Sequence, residues 1–328
     1  MDCISTTPIF ITRKLIMYRT KYPLKLDLML DSGAFSAHNK GKEINLDEYI
    51  AYIKEYQEYL TCYVNLDVIG DAEATMKNQR AMEAAGLSPM PVFHIGEEFS
   101  YLKALMDEYD YIGIGGIANL SGTGESFKFL NQVFDIICDK NGYPTRKLHA
   151  FGITNTESIF GYPWYSVDST SWLYSSRMGL LYIPRRLQNG EWDLLETTGK
   201  YFKPSITLLS PFLSEPGKHI LNSPPAVKKL YDEWLECHGW VTGKSEFHKE
   251  SPDYVLKKGE RWVAARGASI LEKGAGAKTF VETILEVGLS NDYTSRDIAN
   301  ATYFKELQEH IPEYPWKWNR PKMKGFLR

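Results

Sequence analysis

Tyr165-Ser-Val-Asp-Ser-Thr-Ser-Trp172 puts an aspartate, Asp168, at the end of a short apolar run, and five earlier runs end in a similar way. Lys25-Leu-Asp-Leu-Met-Leu30 leads into Asp31-Ser-Gly-Ala-Phe-Ser36, Cys62-Tyr-Val-Asn-Leu66 into Asp67, and Pro91-Val-Phe93 into His94. Tyr111-Ile-Gly-Ile114 leads into Gly115-Gly116, and Leu148-His-Ala-Phe151 into Gly152. Short apolar runs bounded by polar or glycine residues read as strands, as does Pro8-Ile-Phe-Ile-Thr12. Between them lies helical spacing: Leu46 to Tyr56 behind an Asn45 cap, Ala72 to Ala85 behind Asp71 and stopped by Gly86, Phe99 to Tyr109, Glu125 to Cys138, and a short piece near Thr156 to Phe160. Strand–helix alternation predicts a parallel sheet. Polar groups recur at many strand ends rather than at one switch point, so the expected α/β architecture is a TIM-like (β/α)8 barrel.

After Trp172 the pattern changes. Leu180 to Trp192 reads as a hairpin turning at Asn189-Gly190. From about Pro224 onward the chain reads as mostly helical, with glycine breaks at Gly267 and Gly274-Ala-Gly276. This gives a barrel over residues 1–215 and a helical C-terminal region over 216–328. The last stretch, Tyr314 to Arg328, interleaves basic residues with Trp316 and Trp318, a pattern suited to tracking a phosphate backbone and stacking a base. The plainer reading of a short basic tail is a solvated one.

A net charge of −3 gives no global signature for nucleic acid, so any contact with it rests on local patches. Four scattered cysteines, Cys3, Cys62, Cys138 and Cys237, form no metal-like spacing and fit a reducing compartment. The N-terminus lacks a basic start followed by an apolar stretch, and no run is long enough to span a bilayer. A cytoplasmic protein with no membrane partner is expected.

Taken in order, these strand ends resemble the tRNA-guanine transglycosylase superfamily. Asp31-Ser-Gly-Ala-Phe-Ser36 is similar to that family's Asp-Ser-Gly-Gly-Phe-Gln, and Asn65-Leu-Asp67 to the strand end with its base-reading aspartate. Val92-Phe-His-Ile-Gly96 resembles Val-Gln-Gly with His94 for glutamine, and Gly115-Gly-Ile-Ala118 resembles Gly-Gly-Leu-Ala. His149-Ala-Phe-Gly152 is similar to Leu-Met-Gly-Val-Gly, and Val167-Asp168 falls where the family carries its nucleophile. The resemblance covers roughly residues 25–180.

It implies base exchange at a nucleoside. A carboxylate attacks C1′ to form a glycosyl-enzyme, and its charge favours the oxocarbenium-like transition state; Asp168 is the candidate. Asp31 is placed to protonate the departing guanine and deprotonate the incoming base. Asp67 suits the N1–H and N2–H donors of guanine, and backbone N–H groups at Gly116 and Ile117 suit O6, with glycine there allowing close approach and Gly115 beside it in the expected base site. Ser32, His94, Phe35 and Gly152 complete the expected base site. Arg177, Arg185, Arg186, Lys317 and Arg320 are candidates for nucleic-acid contact. The plainer readings are caps and turns for the aspartates, a structural histidine, packing for Phe35 and solvated charge for the arginines.

The tRNA enzymes carry a structural zinc built from Cys-x-Cys-x-x-Cys and a later His. Here only Cys237-His238 and His248 stand near one another, too few thiolates for such a site, so neither metal nor cofactor is expected. The chain thus looks more like the shorter, zinc-less 7-deazaguanine DNA transglycosylases of phages and bacterial islands. The partners implied are DNA and a small 7-deazaguanine base. The alternatives are tRNA as the polymer, a barrel glycoside hydrolase using Asp31 and Asp168, and a non-catalytic nucleic-acid-binding subunit.

Overall fold

The computed structural model describes residues 28–39, 41–120, 122–263 and 280–320. The expected strand at Pro8–Thr12, the start of the run at Lys25, the glycine breaks from Gly267 to Gly276 and the tail beyond Arg320 lie outside them. The chain divides into two compact units. One comprises the described residues up to Thr170 together with those from Pro312 on, and the other is Ser171–Ile311.

The first unit alternates strand and helix: β1 (Met29–Leu30), α1 (Ala34–Asn39), α2 (Leu46–Tyr56), β2 (Cys62–Tyr63), α3 (Ala72–Ala84), β3 (Val92–His94), α4 (Phe99–Glu108), β4 (Tyr111–Gly115), α5 (Gly124–Ile137), β5 (Lys147–Ala150), α6 (Thr156–Gly161) and β6 (Ser166–Val167). Helix starts follow the capping chemistry read from the sequence. Asn45 accepts from the Glu48 amide and Asp71 from the Ala74 amide, each satisfying an N–H the first turn leaves orphaned.

Every strand pair here is parallel and follows chain order. β1 pairs with β2, a parallel bridge joins Val64 to Met90, and β3, β4, β5 and β6 form a continuous four-stranded sheet. This establishes the α/β class with a parallel sheet.

Strand alternation sends successive side chains to opposite faces. On one face Leu30 joins Tyr49, Ile53, Leu66 and Met82 under the helices. On the other, Met29, Val64, Met90 and Val92 pack together with Tyr111 and Phe151. Helix α5 lays Phe129, Leu130, Val133, Phe134 and Ile137 into the core, and burial of such side chains is worth roughly 1.5–3 kcal/mol each. Register then aligns Val92, Gly113, His149 and Ser166 in one row across β3–β6. The next positions toward the strand C-termini hold His94, Gly115 and Asp168, so the second face becomes polar at that end.

The second unit begins with α7 (Ser171–Arg177) and the hairpin β7 (Arg185–Arg186) and β8 (Trp192–Asp193). Arg186 pairs with Trp192, and the turn residue Gly190 takes the expected positive φ. Then come α8 (Pro225–His238), β9 (Lys244–Lys249), β10 (Glu260–Val263), β11 (Phe280–Glu286) and α9 (Tyr293–Gln308). The last three strands form an antiparallel sheet in the order β10-β11-β9. The mostly helical C-terminal region expected from the sequence is therefore mixed, and the division falls at Ser171 rather than near residue 215. No helix among the described residues is long and apolar enough to cross a membrane.

Candidate active site

Asp31, Asp67, His94 and Asp168 each leave the C-terminal end of a parallel strand or of its bridge extension. The structure brings them together on one face. Asp67 is held from both sides: Ser32 Oγ donates to its Oδ1 at 2.8 Å, and His94 Nε2 lies 3.0 Å from its Oδ2. The other imidazole nitrogen, Nδ1, lies 3.1 Å from Glu97 Oε1, while the His94 backbone N–H donates to Glu97 Oε2. Burial disfavours the imidazolium, yet the hydrogen bonds to Asp67 and Glu97 outweigh it and raise the His94 pKa from 6.5 to about 9. At neutral pH His94 is a cation clamped between two carboxylates, and both ring nitrogens donate. The sequence reading placed His94 at the base edge; here its nitrogens are committed to Asp67 and Glu97.

Gly115 owes its identity to this arrangement. A Cβ there would sit 2.6 Å from His94 Cδ2, so the imidazole occupies the space a side chain on β4 would fill. Gly116 follows in the turn, and Ile117 is fully buried behind it.

Asp31 stands between two like charges. Burial, then the neighbouring carboxylates of Asp67 and Asp168, push its pKa from 3.8 to about 6, against the opposing effects of the Gly33 amide and His149. A carboxyl poised there exchanges a proton readily near neutrality. Asp168 Oδ1 accepts the Gly152 N–H at 2.9 Å, and its backbone N–H donates to Ala150 O. Gly152 has φ +73°, and a Cβ there would lie 2.5 Å from Ala118 Cβ, so glycine is required both for the turn and for the contact. Phe35 is 46% exposed on α1, an aromatic face presented beside Asp31 in sequence.

Sequence reasoning missed three groups. Glu97 is the second carboxylate on His94, and its i+3 position from that histidine was the available signal. His149 is fully buried with Nε2 3.7 Å from Asp168 Oδ1, and Ser166 Oγ lies 2.6 Å from its Nδ1. Both residues alternate onto the polar face of their strands, but without a register between β5 and β6 nothing in the sequence pairs them.

The candidate nucleic-acid residues have local partners. Arg177 lies over the Tyr293 ring and 3.9 Å from Asp297. Arg185 covers Phe202 and donates to Lys200 O, and Arg186 covers Trp192 at 3.5 Å and meets Glu233. The tail packs against residues of the first unit. The Trp318 backbone N–H donates to Gly142 O and its ring lies near Phe134 and Tyr162, Tyr314 OH donates to Arg146 O, and Arg320 meets Asp135 at 3.2 Å. Those partners precede β5 or β6 or lie near the C-terminal end of α5. Lys317, beside Gly142, and Arg320 are therefore placed at the N-terminal end of the sheet, away from the carboxylates. Position along the sequence carries no information about which end of a sheet a returning segment meets.

Among the described residues no group of three or more His, Cys, Asp or Glu side chains is arranged to hold a metal ion. Of the three residues weighed for zinc, His238 has Nε2 2.6 Å from Glu306 and stacks on Trp240, with Cys237 Sγ against its Nδ1. Scans of the chain against protein-family models, curated proteins and solved structures give no match.

Proposed function

We propose that this chain is a base-exchange transglycosylase that replaces guanine in DNA by a 7-deazaguanine, on a parallel sheet that closes as a (β/α)8 barrel. Six parallel strands in chain order, three of them followed by carboxylates at their C-terminal ends, support the barrel reading. One observation carries the chemistry: Asp31, Asp67 and Asp168 gather on one face, with Asp31 held at a pKa of about 6.

In the proposed reaction an Asp168 carboxylate oxygen bonds to C1′ as the C1′–N9 bond breaks, and protonated Asp31 gives its proton to the departing guanine. The incoming 7-deazaguanine then loses its N9 proton to Asp31, its N9 bonds to C1′, and Asp168 leaves with its charge restored. The negative field of the cluster favours the oxocarbenium-like transition state of each half. Among the described residues each Asp67 oxygen accepts one side-chain bond, which leaves a second lone pair for guanine N1–H and N2–H. The His94 cation holds the Asp67 carboxylate in place for that task.

Nucleoside mass spectrometry on duplex DNA and on tRNA, each incubated with the protein and 7-cyano-7-deazaguanine, tests this reading. A modified deoxynucleoside lost in Asp168→Ala supports it. Product only in tRNA changes the polymer, and release of sugar without exchange overturns the reaction.

A further inference from the structure

Beneath the carboxylates runs a polar chain, across two rows of the sheet, that the reaction above does not use. Tyr111 OH, on β4, lies 2.6 Å from Ser166 Oγ on β6, and Ser166 Oγ lies 2.6 Å from His149 Nδ1 on β5. His149 is fully buried, walled by the Tyr111 and Phe151 rings. Among the described residues its Nε2 has no hydrogen-bond partner, and it lies 3.7 Å from Asp168 Oδ1. A buried ring nitrogen without a partner is costly, and it is retained where its task lies in another state of the site.

We propose that His149 is the positioning residue of the nucleophile, with Tyr111 and Ser166 fixing its tautomer so that Nε2–H faces Asp168. In a neutral imidazole one nitrogen donates and the other accepts. If Tyr111 donates to Ser166 and Ser166 to Nδ1, the proton of the ring resides on Nε2. That N–H and the Gly152 amide then address the same carboxylate oxygen, Oδ1. The two donors orient the carboxylate and leave the attack on C1′ to Oδ2. When the ester forms, Oδ1 becomes its carbonyl oxygen and still accepts both. When the ester breaks, the same donors stabilise the carboxylate that leaves. No proton changes hands, and the step needs no co-reactant. The apo separation of 3.7 Å closes to hydrogen-bond length as the ester carbonyl forms.

This assignment rests on Asp168 as nucleophile, so its test has one arm that needs no activity. Two-bond 1H–15N spectra of the histidine-labelled full chain give the tautomer directly. An Nε2–H signal at His149, moved by Asp168→Asn and converted toward mixed tautomers by Ser166→Ala, supports the proposal. An Nδ1–H tautomer, or a His149 signal blind to Asp168→Asn, overturns it. The kinetic arm uses single-turnover exchange. His149→Phe is expected to slow the glycosyl-enzyme step about 100-fold with little change in KM, as for loss of one oriented donor. His149→Gln, whose amide N–H reaches the Nε2 position, is expected to recover at least about a tenth of the rate. Equal losses in both variants count against positioning. Tyr111→Phe guards against a folding failure, since it removes only the far hydroxyl and leaves every ring in place. Absence of exchange in the wild-type chain would defeat the reaction of the preceding subsection, and the tautomer measurement would still decide this one.

Discussion

Asp67 and His94, on adjacent strand ends, meet Oδ2 to Nε2 at 3.0 Å with Glu97 closing the far side of the imidazole, so a cation lies buried between two carboxylates. The charge state of that pair links folding to pH. His94 gains its proton affinity on folding, from 6.5 to about 9. A raised folded pKa means the stabilisation is complete below the unfolded value and is lost as pH rises through the folded one. The unfolding free energy is therefore expected to fall between about pH 6.5 and pH 9, by an amount on the order of a few kcal/mol. Urea titrations across that range, with His94→Gln as control, check it. A flat profile in the wild-type protein would sink the prediction.

Asp31 carries the opposite sense for a carboxylate. Its pKa rises from 3.8 to about 6 on folding, so its contribution is full below pH 3.8 and is lost as pH climbs through 6. Ionised Asp31 consequently destabilises the fold at neutral pH. Asp31→Asn is expected to raise stability at pH 7.5 by on the order of 1–3 kcal/mol, to change little at pH 4, and to remove base exchange. A lower midpoint at pH 7.5 would contradict the account of burial and repulsion.

Gly115→Ala tests the room made for the imidazole. A methyl group 2.6 Å from His94 Cδ2 cannot coexist with the present ring position. The expected cost is about 1–3 kcal/mol, the usual range for overpacking. The His94 titration should also move down from about 9 as its contact with Asp67 loosens, visible in the imidazole proton spectrum. An unshifted titration would mean that β4 yields instead of the ring.

The tail makes a contrasting case. Lys317→Ala and Arg320→Ala remove exposed charge at the other end of the sheet, and the Arg320–Asp135 pair is solvent-screened. Stability is expected to stay within about 0.5 kcal/mol, and exchange on DNA within about twofold. Trp318→Ala, by comparison, should cost about 2 kcal/mol through lost contact with Phe134 and Tyr162. A tenfold loss of exchange in the charge variants would restore the tail to nucleic-acid contact.

The first unit was legible because its signals are local. Asn45 and Asp71 announce helix starts by the hydrogen bonds their own side chains make, and each apolar run before Asp31, Asp67, His94 and Asp168 stands between turn residues. The sheet β9–β11 was not legible, because its strands do not alternate cleanly between apolar and polar. Glu282 is 2% exposed yet satisfied by Ser245 and Arg261, so a residue type that reads as solvated belongs to the interior. The partnerships Ser32–Asp67–His94–Glu97 and Tyr111–Ser166–His149 depend on register between strands, which no single stretch of chain encodes.

The first unit is written in two pieces, with Ser171–Ile311 between them. During synthesis its sheet leaves the ribosome long before Trp318 does, so the apolar patch around Phe134 and Tyr162 waits uncovered while the whole intervening stretch is made. The segment around Trp318 is thus a delayed cover on hydrophobic surface, and the interval before it arrives is a period when a nascent molecule is exposed to aggregation or to capture by a chaperone.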